Sequence, residues 1–394
     1  MEAILSQLQD FAGKADEAGR VRLVQSLQGL QIQWESPQDT FLRLYNSQLE
    51  LAIIYVGAEL GLFAELAKEN TKPLTVTQLV ERSGGSPALL GSRSTIDLYL
   101  GYMTNPRPNE YQANKLTHVC AHPVIKPGMV HAFDILGPAI QASPSFLAES
   151  KYQDITDGRN TPFQKAFKTD LGAFEYISKQ PKMFTCMQQV MTMMQGSEWL
   201  VDFKILDDAA AAVGNQLSPQ DFERPFFVDV GGGHGHQLVQ LRDKHPQLKG
   251  RLILEDLAES VKQLPEIEGV KTVVQDFFDK QNIEGAQFYY IRHCLHDWPD
   301  ADCIKILQNL AASLRDDSHI LIDEIVLPDV NAHWHATMRD VTMNLTFGGK
   351  ERTRSQWESL IEQAGLHLLH FHDYSTTQAE SVIVVTLPRK KLDE

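Results

Sequence analysis

The stretch Phe226–Leu241, "FFVDVGGGHGHQLVQL", joins a short apolar run, a cluster of glycines and the start of a helical pattern. Glycine is needed where a chain turns with positive φ or approaches a ligand closely. Gly231, Gly233 and Gly235 form GxGxG, and His236 stands where a dinucleotide-binding GxGxxG motif has its third glycine. The stretch therefore predicts a strand, a turn and a helix. The turn either binds a ligand or is only a tight structural connection.

Five more apolar segments follow that stretch and alternate with amphipathic ones. They are "RLILE" (251–255), "KTVVQ" (271–275), "QFYYI" (287–291), "HILIDEIVL" (319–327) and "SVIVVTL" (381–387). Their β-branched and aromatic content is typical of strands. Alternation of strand and helix predicts a doubly wound parallel sheet covered on both faces, with its ligand site beyond the carboxyl ends of the strands.

Acidic residues stand at two of those strand ends. Asp256 follows the second strand, 25 residues after Gly231, close to the spacing at which a carboxylate binds ribose hydroxyls. Asp276 and Phe277 end the third strand, and an acid beside an aromatic ring suits an adenine. One such acid alone is typical of a solvated strand end, but together with the glycine loop they predict a site for an adenine nucleoside.

Two histidines follow the fourth strand in "YYIRHCLHDWPD" (289–300). His293 and His296 are three positions apart, so only one of them need face a pocket. Histidine has an ordinary pKa of about 6.5 and is mostly neutral and basic at pH 7. Each is either a catalytic base or an ordinary strand-end residue.

The N-terminal third has the pattern of a helix-turn-helix. Helical spacing of apolar residues covers 39–70, and a helix, a Gly-Gly turn and a second helix follow, with Thr75 and Ser86 as candidate N-caps. "NPRPNEYQANKL" (105–116) predicts a short wing. The second helix carries one basic residue, Arg93, and the formal net charge is −15, which favours protein contact over DNA binding.

Composition excludes several other classes of protein. Beyond the terminal "PRKKLDE" there is no cluster of Lys and Arg, which argues against a nucleic-acid partner. No apolar run reaches the roughly 18 residues of a membrane span. Four cysteines without CxxC spacing indicate reduced thiols and a cytoplasmic protein. We expect no metal site, since the sequence holds no obvious ligand cluster.

The motifs "VDVGGGHGH", "LEDL", "VQDFFD", "LHDWPD", "LIDEIVLPD" and "MNLTFGGKERTRSQWESLIEQAGL" follow in the order of a known family. The chain resembles the S-adenosylmethionine-dependent O-methyltransferases of the caffeic-acid and fungal secondary-metabolite type. The resemblance implies an α/β fold. Residues 1–125 would form a helical, winged-helix-like dimerisation domain, through which the protein forms a homodimer. Residues 126–394 would form the methyltransferase domain, with a helical substrate-lining segment (126–213) and a Rossmann-like cofactor domain (225–394).

The resemblance also implies site residues. The catalytic base is His296, flanked by Glu324 and Glu351, while Asp323 faces away and His293 is a surface residue or helix cap. The residues implied to bind S-adenosylmethionine are Asp229, Gly231, Gly233, Asp256, Asp276, Phe277 and Arg292, although Arg292 is equally suited to a structural salt bridge. The candidate substrate contacts are Met191, Met343 and His131.

The function that the resemblance implies is O-methylation of a phenolic or enolic hydroxyl on a small aromatic or polyketide-like metabolite. The alternative is a methyltransferase-like cyclase, pericyclase or dehydratase that binds S-adenosylmethionine without transferring methyl. Arg292, His293 and His131 would supply polarising groups to such an enzyme. The sequence leaves the substrate open.

Overall fold

The computed structural model describes residues 1–69, 72–91, 101–191, 196, 198–213, 224–330, 332–375 and 378–388. The chain divides into two compact units, Met1–Asp134 and Ile135–Glu394. The domain boundary expected between residues 125 and 126 stays a prediction. No helix in the described part of the chain is long and apolar enough to cross a membrane.

The first unit is mostly helical. Its helices are α1 (Glu2–Lys14), α2 (Glu17–Trp34), α3 (Pro37–Glu59), α4 (Leu62–Glu69), α5 (Val76–Ser83), α6 (Pro87–Gly91), α7 (Lys115–Cys120) and α8 (Ile125–Met129). A small antiparallel sheet has the order β1-β3-β2, from β1 (Leu74–Thr75), β2 (Met103–Arg107) and β3 (Glu110–Ala113).

Both predicted caps are present in that unit. The Thr75 hydroxyl accepts the backbone N–H of Gln78 at 3.2 Å and the Gln78 side chain accepts the N–H of Thr75, which is a complete capping box. The Ser86 hydroxyl accepts the N–H of Leu89 at 3.1 Å. Arg93, which bears on the question of DNA binding, lies outside the described residues.

The second unit holds the large sheet. A π-helix, Val130–Leu136, contains the boundary between the units. The helices that follow are α9 (Gly137–Glu149), α10 (Pro162–Phe167), α11 (Ala173–Ser178), α12 (Pro181–Met191), α13 (Lys204–Val213), α14 (His236–Lys244), α15 (Ala258–Val261), α16 (Asp300–Ala311), α17 (Trp334–Phe347) and α18 (Arg354–Gln363). The strands are β4 (Phe227–Val230), β5 (Leu252–Asp256), β6 (Val270–Val274), β7 (Phe288–Arg292), β8 (His319–Leu327), β9 (Arg352–Thr353), β10 (His367–Ser375) and β11 (Glu380–Thr386).

The sheet is mixed, with the order β10-β11-β8-β7-β4-β5-β6 and β9 paired to β8. Pairing is parallel from β8 to β6, and antiparallel between β10 and β11 and between β11 and β8. The predicted all-parallel sheet is therefore wrong at one edge, and β10 was not predicted. Only residues 376–379 separate β10 from β11, too few for the crossover that parallel strands require.

Hydrophobic cores cover both faces of the sheet. On one face, α16 and α18 contribute Ile306, Leu310 and Trp357. On the other, α13 and α14 contribute Leu206 and Leu238. These layers bury the central strands and leave the carboxyl ends of β4, β5 and β7 to form one edge, as the alternating pattern predicts.

Candidate active site

The loop after β4 has the backbone that only glycines adopt without strain. Gly231, Gly233 and Gly235 have φ of +71°, +56° and +72°. A Cβ at Gly232 would lie 2.6 Å from the carboxylate of Asp229. The loop therefore passes directly over the end of β4.

Gly235 is the glycine that lets α14 pack closely on the sheet. The helix begins at His236, and Gly235 is its N-cap in the left-handed region. A Cβ at Gly235 would lie 2.6 Å from Ile267 and 2.7 Å from Leu254. Gly235 thus does what the third glycine of GxGxxG does elsewhere, one position early.

The carboxylates of Asp256 and Asp229 lie at this loop. The Asp256 carboxylate accepts the N–H of Gly233 at 2.9 Å and the N–H of Leu257 at 2.7 Å. Asp229 is buried, and burial, followed by the charge of Asp256, raises its pKa to about 8. Its Oδ2 has no hydrogen-bond partner among the described residues.

Phe277 borders the same loop. Its ring lies 3.7 Å from the position that a Cβ on Gly231 would take, and it contacts Trp298 edge-on at 6.2 Å between centroids. The Asp276 carboxylate accepts the N–H of Phe278 at 2.9 Å. The structure therefore places Phe277 against the glycine turn.

Arg292 forms the salt bridge that was one of its two predicted roles. Its Nη1 lies 3.0 Å from Asp323 Oδ2, and both side chains are buried. Asp323 also accepts the hydroxyls of Tyr290 and Tyr374. Burial raises the pKa of Asp229, and the positive charge of Arg292 partly offsets this rise. Arg292 therefore also influences the carboxyl group at the end of β4.

These residues fit S-adenosylmethionine. The glycine loop leaves room where a Cβ would meet neighbouring side chains. Asp229 presents a buried, unpaired carboxylate oxygen, and Phe277 presents a ring beside the turn. Asp256 and Asp276 follow two neighbouring parallel strands. Acids at successive strand ends around a glycine turn supply the hydrogen-bond acceptors that ribose hydroxyls and the adenine amine require.

His296 is the centre of a buried acid–base cluster beside that loop. It lies on the 3₁₀ turn Leu295–Asp297 after β7 and is 8% exposed. Its Nδ1 is 2.8 Å from Glu351 Oε1 and 3.6 Å from Glu324 Oε2. Both predicted partner acids therefore lie at the histidine that the resemblance selects.

Glu324 also shapes the turn. Its Oε1 accepts the backbone N–H groups of Cys294 at 3.0 Å, Leu295 at 2.8 Å and His296 at 3.3 Å. Its Oε2 points towards the imidazole. One carboxylate thus fixes the backbone and adds negative charge beside the ring.

Charge in the cluster strongly favours the imidazolium. Burial lowers the pKa of His296, but the charges of Glu324, Glu351 and Asp297 outweigh burial and raise it to about 10. Burial raises the pKa of Glu324 and that of Asp297 to about 7. Burial would also raise the pKa of Glu351, but the charge of His296 and its hydrogen bond hold it below the ordinary value. The ring is therefore mostly protonated at pH 7, unlike the neutral ring expected from the ordinary pKa.

The prediction for His293 is wrong. His293 is neither a surface residue nor a helix cap: its side chain is 12% exposed and lies 3.8 Å from Glu324 and 3.4 Å from Glu380. Its φ is +46°, a backbone conformation that sequence patterns do not reveal. Asp297 does not cap α16, which begins at Asp300 after Pro299. Asp297 instead lies 3.7 Å from His296 Nε2.

Donor atoms of His293, His296 and Glu324 lie within 4.8 Å of one another, a spacing from which a metal ion can be bound. The direct bond from His296 to Glu351 and the three N–H groups on Glu324 already occupy part of this set. The expectation of no metal site stays a prediction.

The three predicted substrate contacts lie in different surroundings. Met191 is the last residue of α12 and is 48% exposed. Met343 lies on α17 and packs against a core cluster that includes Phe163 and Phe347. His131 lies on the π-helix within the first unit, and its buried Nδ1 has no hydrogen-bond partner among the described residues. Burial lowers the pKa of His131. Their contact with a substrate stays a prediction.

Known proteins share the whole length of the chain. The family model for an O-methyltransferase domain matches residues 150–367. Demethylsterigmatocystin 6-O-methyltransferase of Aspergillus parasiticus is 35% identical over 390 residues, covering 99% of this chain and 98% of the relative. The O-methyltransferase OkaF of Penicillium ochrochloron is 32% identical, covering 98% of this chain and 100% of the relative.

Solved structures agree with the fold. The structure of LepI in complex with S-adenosylmethionine is 32% identical with a TM-score of 0.85, covering 98% of each chain. A structure described as a pericyclic reaction enzyme has a TM-score of 0.86 at 32% identity, covering 98% of this chain and 99% of the other. The chain therefore belongs to the S-adenosylmethionine-dependent O-methyltransferase family.

Proposed function

We propose that this protein methylates a phenolic or enolic hydroxyl of a small aromatic or polyketide-like metabolite, with His296 as general base. The observation that carries the proposal is the buried His296–Glu351 contact of 2.8 Å with Glu324 beside it. A base that becomes cationic during a reaction needs such an orienting and stabilising carboxylate. The names of the full-length relatives, which are O-methyltransferases, support the same reaction class.

The proton affinity of His296 suits this substrate class. A phenol has a pKa of about 10, so a base whose conjugate acid also has a pKa of about 10 takes its proton at little free-energy cost. Since Nδ1 is held by Glu351, Nε2 is the ring atom that accepts the substrate proton. The reactive neutral ring becomes more abundant as the pH rises.

S-adenosylmethionine, when bound, supplies an activated methyl group. We propose that Asp256 and Asp276 hold its polar groups, with Asp229, Gly231, Gly233, Phe277 and Arg292 around it. The chain then has to bring the substrate oxygen and His296 Nε2 together. Proximity of this kind supplies much of the rate enhancement in two-substrate reactions. Met343, Met191 and His131 are the residues that we propose contact the substrate.

Replacement of His296 tests the role of the base. His296→Ala should lower methyl transfer by about 10²–10⁴-fold at pH 9 while leaving S-adenosylmethionine affinity nearly unchanged. Transfer is followed with labelled cofactor and a panel of phenols and enols. His367→Ala, at an exposed position of β10, is the matched control and should keep full activity. Full activity of His296→Ala would contradict the assignment.

A second candidate function is a pericyclic, cyclisation or dehydration reaction without methyl transfer. The similarity to a structure described as a pericyclic reaction enzyme favours it, together with buried Arg292 and His293 beside the proposed base. The same incubation separates the two candidates. Cofactor binding with conversion of substrate to an unlabelled isomer or dehydrated product, and no labelled product across the panel, would establish the second.

We also propose a cytoplasmic homodimer formed through the first unit. Helices α1 to α3 expose large apolar side chains, among them Ile4 (58%), Phe11 (55%), Ile32 (62%), Trp34 (76%) and Phe41 (65%). So many large exposed apolar side chains on three successive helices support a protein contact site in this unit. The mass in solution, measured by light scattering after size exclusion, should be twice that of one chain, and a monomer at micromolar concentration would contradict the proposal.

A further inference from the structure

Arg352 is a charged side chain with no exposed surface, and its position follows directly from that of Glu351. A buried guanidinium is stable only if its donors are paired. Its Nε donates to Asp300 at 2.9 Å, and its Cζ lies 5.1 Å from the centre of the Trp357 ring. The remaining donors point to the turn that carries His296.

Those donors bind carbonyl groups on both sides of His296. Nη1 of Arg352 donates to the oxygen of Leu295 at 3.1 Å, and Nη2 donates to the oxygen of Trp298 at 2.9 Å. Within the turn, the N–H of Asp297 donates to the oxygen of Cys294 at 3.2 Å and that of Trp298 to the oxygen of Leu295 at 3.3 Å. Both bonds are longer than the shortest ones that Glu324 and Arg352 make to the same turn.

Two side chains of opposite charge thus bind the backbone of the turn, the carboxylate at its N–H groups and the guanidinium at its carbonyl groups. Glu324 accepts N–H groups from Cys294, Leu295 and His296, whereas Arg352 donates to carbonyl groups of the same turn. Nη1 of Arg352 also donates to the oxygen of Lys350 at 3.3 Å, the residue before Glu351. One guanidinium therefore joins the segment of the base to the segment of its acid partner.

The segment that carries Glu351 also packs closely against the turn that carries His296. A Cβ at Gly349 would lie 2.0 Å from the carbonyl oxygen of His296. The segment from Gly349 to Arg352 therefore runs in direct contact with the turn. A small movement of either segment changes the distance between His296 and Glu351.

We propose that Arg352 is a positioning residue that sets the contact between His296 and Glu351 and thereby the proton affinity of the base. This rests on the proposed function for its effect on turnover. The effect on the ring itself does not depend on turnover, because the proton affinity of His296 can be measured in the resting protein.

The charged groups that face the His296 ring determine its pKa. Glu324, Glu351 and Asp297 raise the pKa of His296. The charge of His296 acts on His293, and that of Arg339 acts on Glu351. If Arg352 no longer links the segments, Glu351 moves away from the ring and its contribution falls, while the other groups stay.

The test compares Arg352→Lys with Arg224→Lys. Arg224 is the matched control, since it is also buried, binds Asp317 at 2.6 Å and donates to the oxygen of Gly285 at 2.6 Å, far along the chain from the catalytic residues. Both variants should lose thermal stability, because lysine cannot satisfy all of the acceptors. Only Arg352→Lys should change the pKa of His296 and the turnover that depends on it.

Titration of the His296 ring by nuclear magnetic resonance is the first readout. In Arg352→Lys we expect its pKa to fall by about one to two units, and in Arg224→Lys to stay at the wild-type value. Turnover at pH 9.5 should fall about 10- to 100-fold in Arg352→Lys with unchanged S-adenosylmethionine affinity, as expected for a base displaced by up to about 1 Å.

An unchanged pKa of His296 in Arg352→Lys, or the same fall in Arg224→Lys, would overturn the proposal whether or not the protein transfers methyl. If Arg352→Lys does not fold, Asp300→Asn takes its place, since Asp300 is half exposed and binds Arg352. In Asp300→Asn we expect a smaller fall in the pKa of His296 than in Arg352→Lys. A pKa equal to that of the wild type would overturn the proposal.

Discussion

Replacement of Glu351 by glutamine removes one charge from the catalytic cluster and keeps nearly the same shape. The His296–Glu351 contact is 2.8 Å, and with an effective dielectric constant of about 20 two unit charges at that distance attract by about 6 kcal/mol. That energy equals about four pKa units. We expect the pKa of His296 to fall from about 10 to about 6, near that of an ordinary histidine.

The rate should change in a way that depends on pH. In the wild type we expect kcat/KM to rise about tenfold per pH unit between about 7 and 9, as the ring loses its proton. In Glu351→Gln this acidic limb should lie near pH 6. A base weaker by about four pKa units loses about 10² in rate when the proton is half transferred. Only about a quarter of the wild-type rings are neutral at pH 9.5, so the variant should be about 20- to 30-fold slower there. The deficit should disappear near pH 8, and at pH 7 the variant should be about tenfold faster, because its ring is neutral there whereas only about one wild-type ring in 10³ is.

Initial rates of label transfer between pH 6 and pH 10 measure both effects. Glu358→Gln, at an exposed position of α18, changes the same net charge and should keep the wild-type profile. A Glu351→Gln profile with its acidic limb still above pH 9, or a rate within threefold of the wild type at pH 9.5, would refute the argument.

Two predictions concern the cofactor loop. Asp229→Asn should stabilise the ligand-free protein, because the carboxyl has a pKa of about 8 in the folded protein and about 3.8 when unfolded, so its cost grows as the pH rises from about 4 to 8. The increase in the free energy of unfolding should reach at most about 4 kcal/mol at pH 7 and vanish near pH 4. Thermal unfolding measures it, and an equal Tm of variant and wild type at pH 8 would show that burial of Asp229 does not destabilise the protein. Gly232→Ala should cost about 1–3 kcal/mol and weaken S-adenosylmethionine binding, because its Cβ would lie 2.6 Å from Asp229. Gly13→Ala on α1, where the added Cβ meets no side chain within 4 Å among the described residues, should leave binding unchanged and not destabilise the protein. Wild-type calorimetric binding of the cofactor by Gly232→Ala would contradict this.

The strands and the location of the site follow from the sequence because both depend on local patterns. Apolar runs mark the buried strands, and parallel strands bring Asp256 and Asp276 to one edge. The edge strand β10 has no such run: His367, His370 and His372 interrupt it, so its half-exposed pattern resembles a loop. Its direction follows only from the short connection to β11.

The environment of the base could not be predicted, because it depends on backbone geometry and on contacts between distant residues. His293 has a positive φ at a position with no glycine to indicate it, and its side chain is mostly buried. Arg352 lies 56 positions from His296, and "KERT" is typical of an exposed charged turn. Burial of that arginine, and of Glu324 and Glu351 with it, turns a set of ordinary charges into a cluster with a strong affinity for a proton.

That affinity bears on which reaction the site can perform. Glu324, Glu351 and Asp297 place three carboxylates around one imidazole, and an excess of buried acids draws protons towards the ring. A site that only polarises a substrate needs donors, yet Nη1 of Arg292 is already paired with Asp323. Burial and the charges of Arg292 and His296 hold the pKa of His293 well below its usual range. The charge balance thus gives the neutral ring a high affinity for a proton, which supports the proposed removal of a proton from a substrate hydroxyl, and this neutral form becomes more abundant as the pH rises.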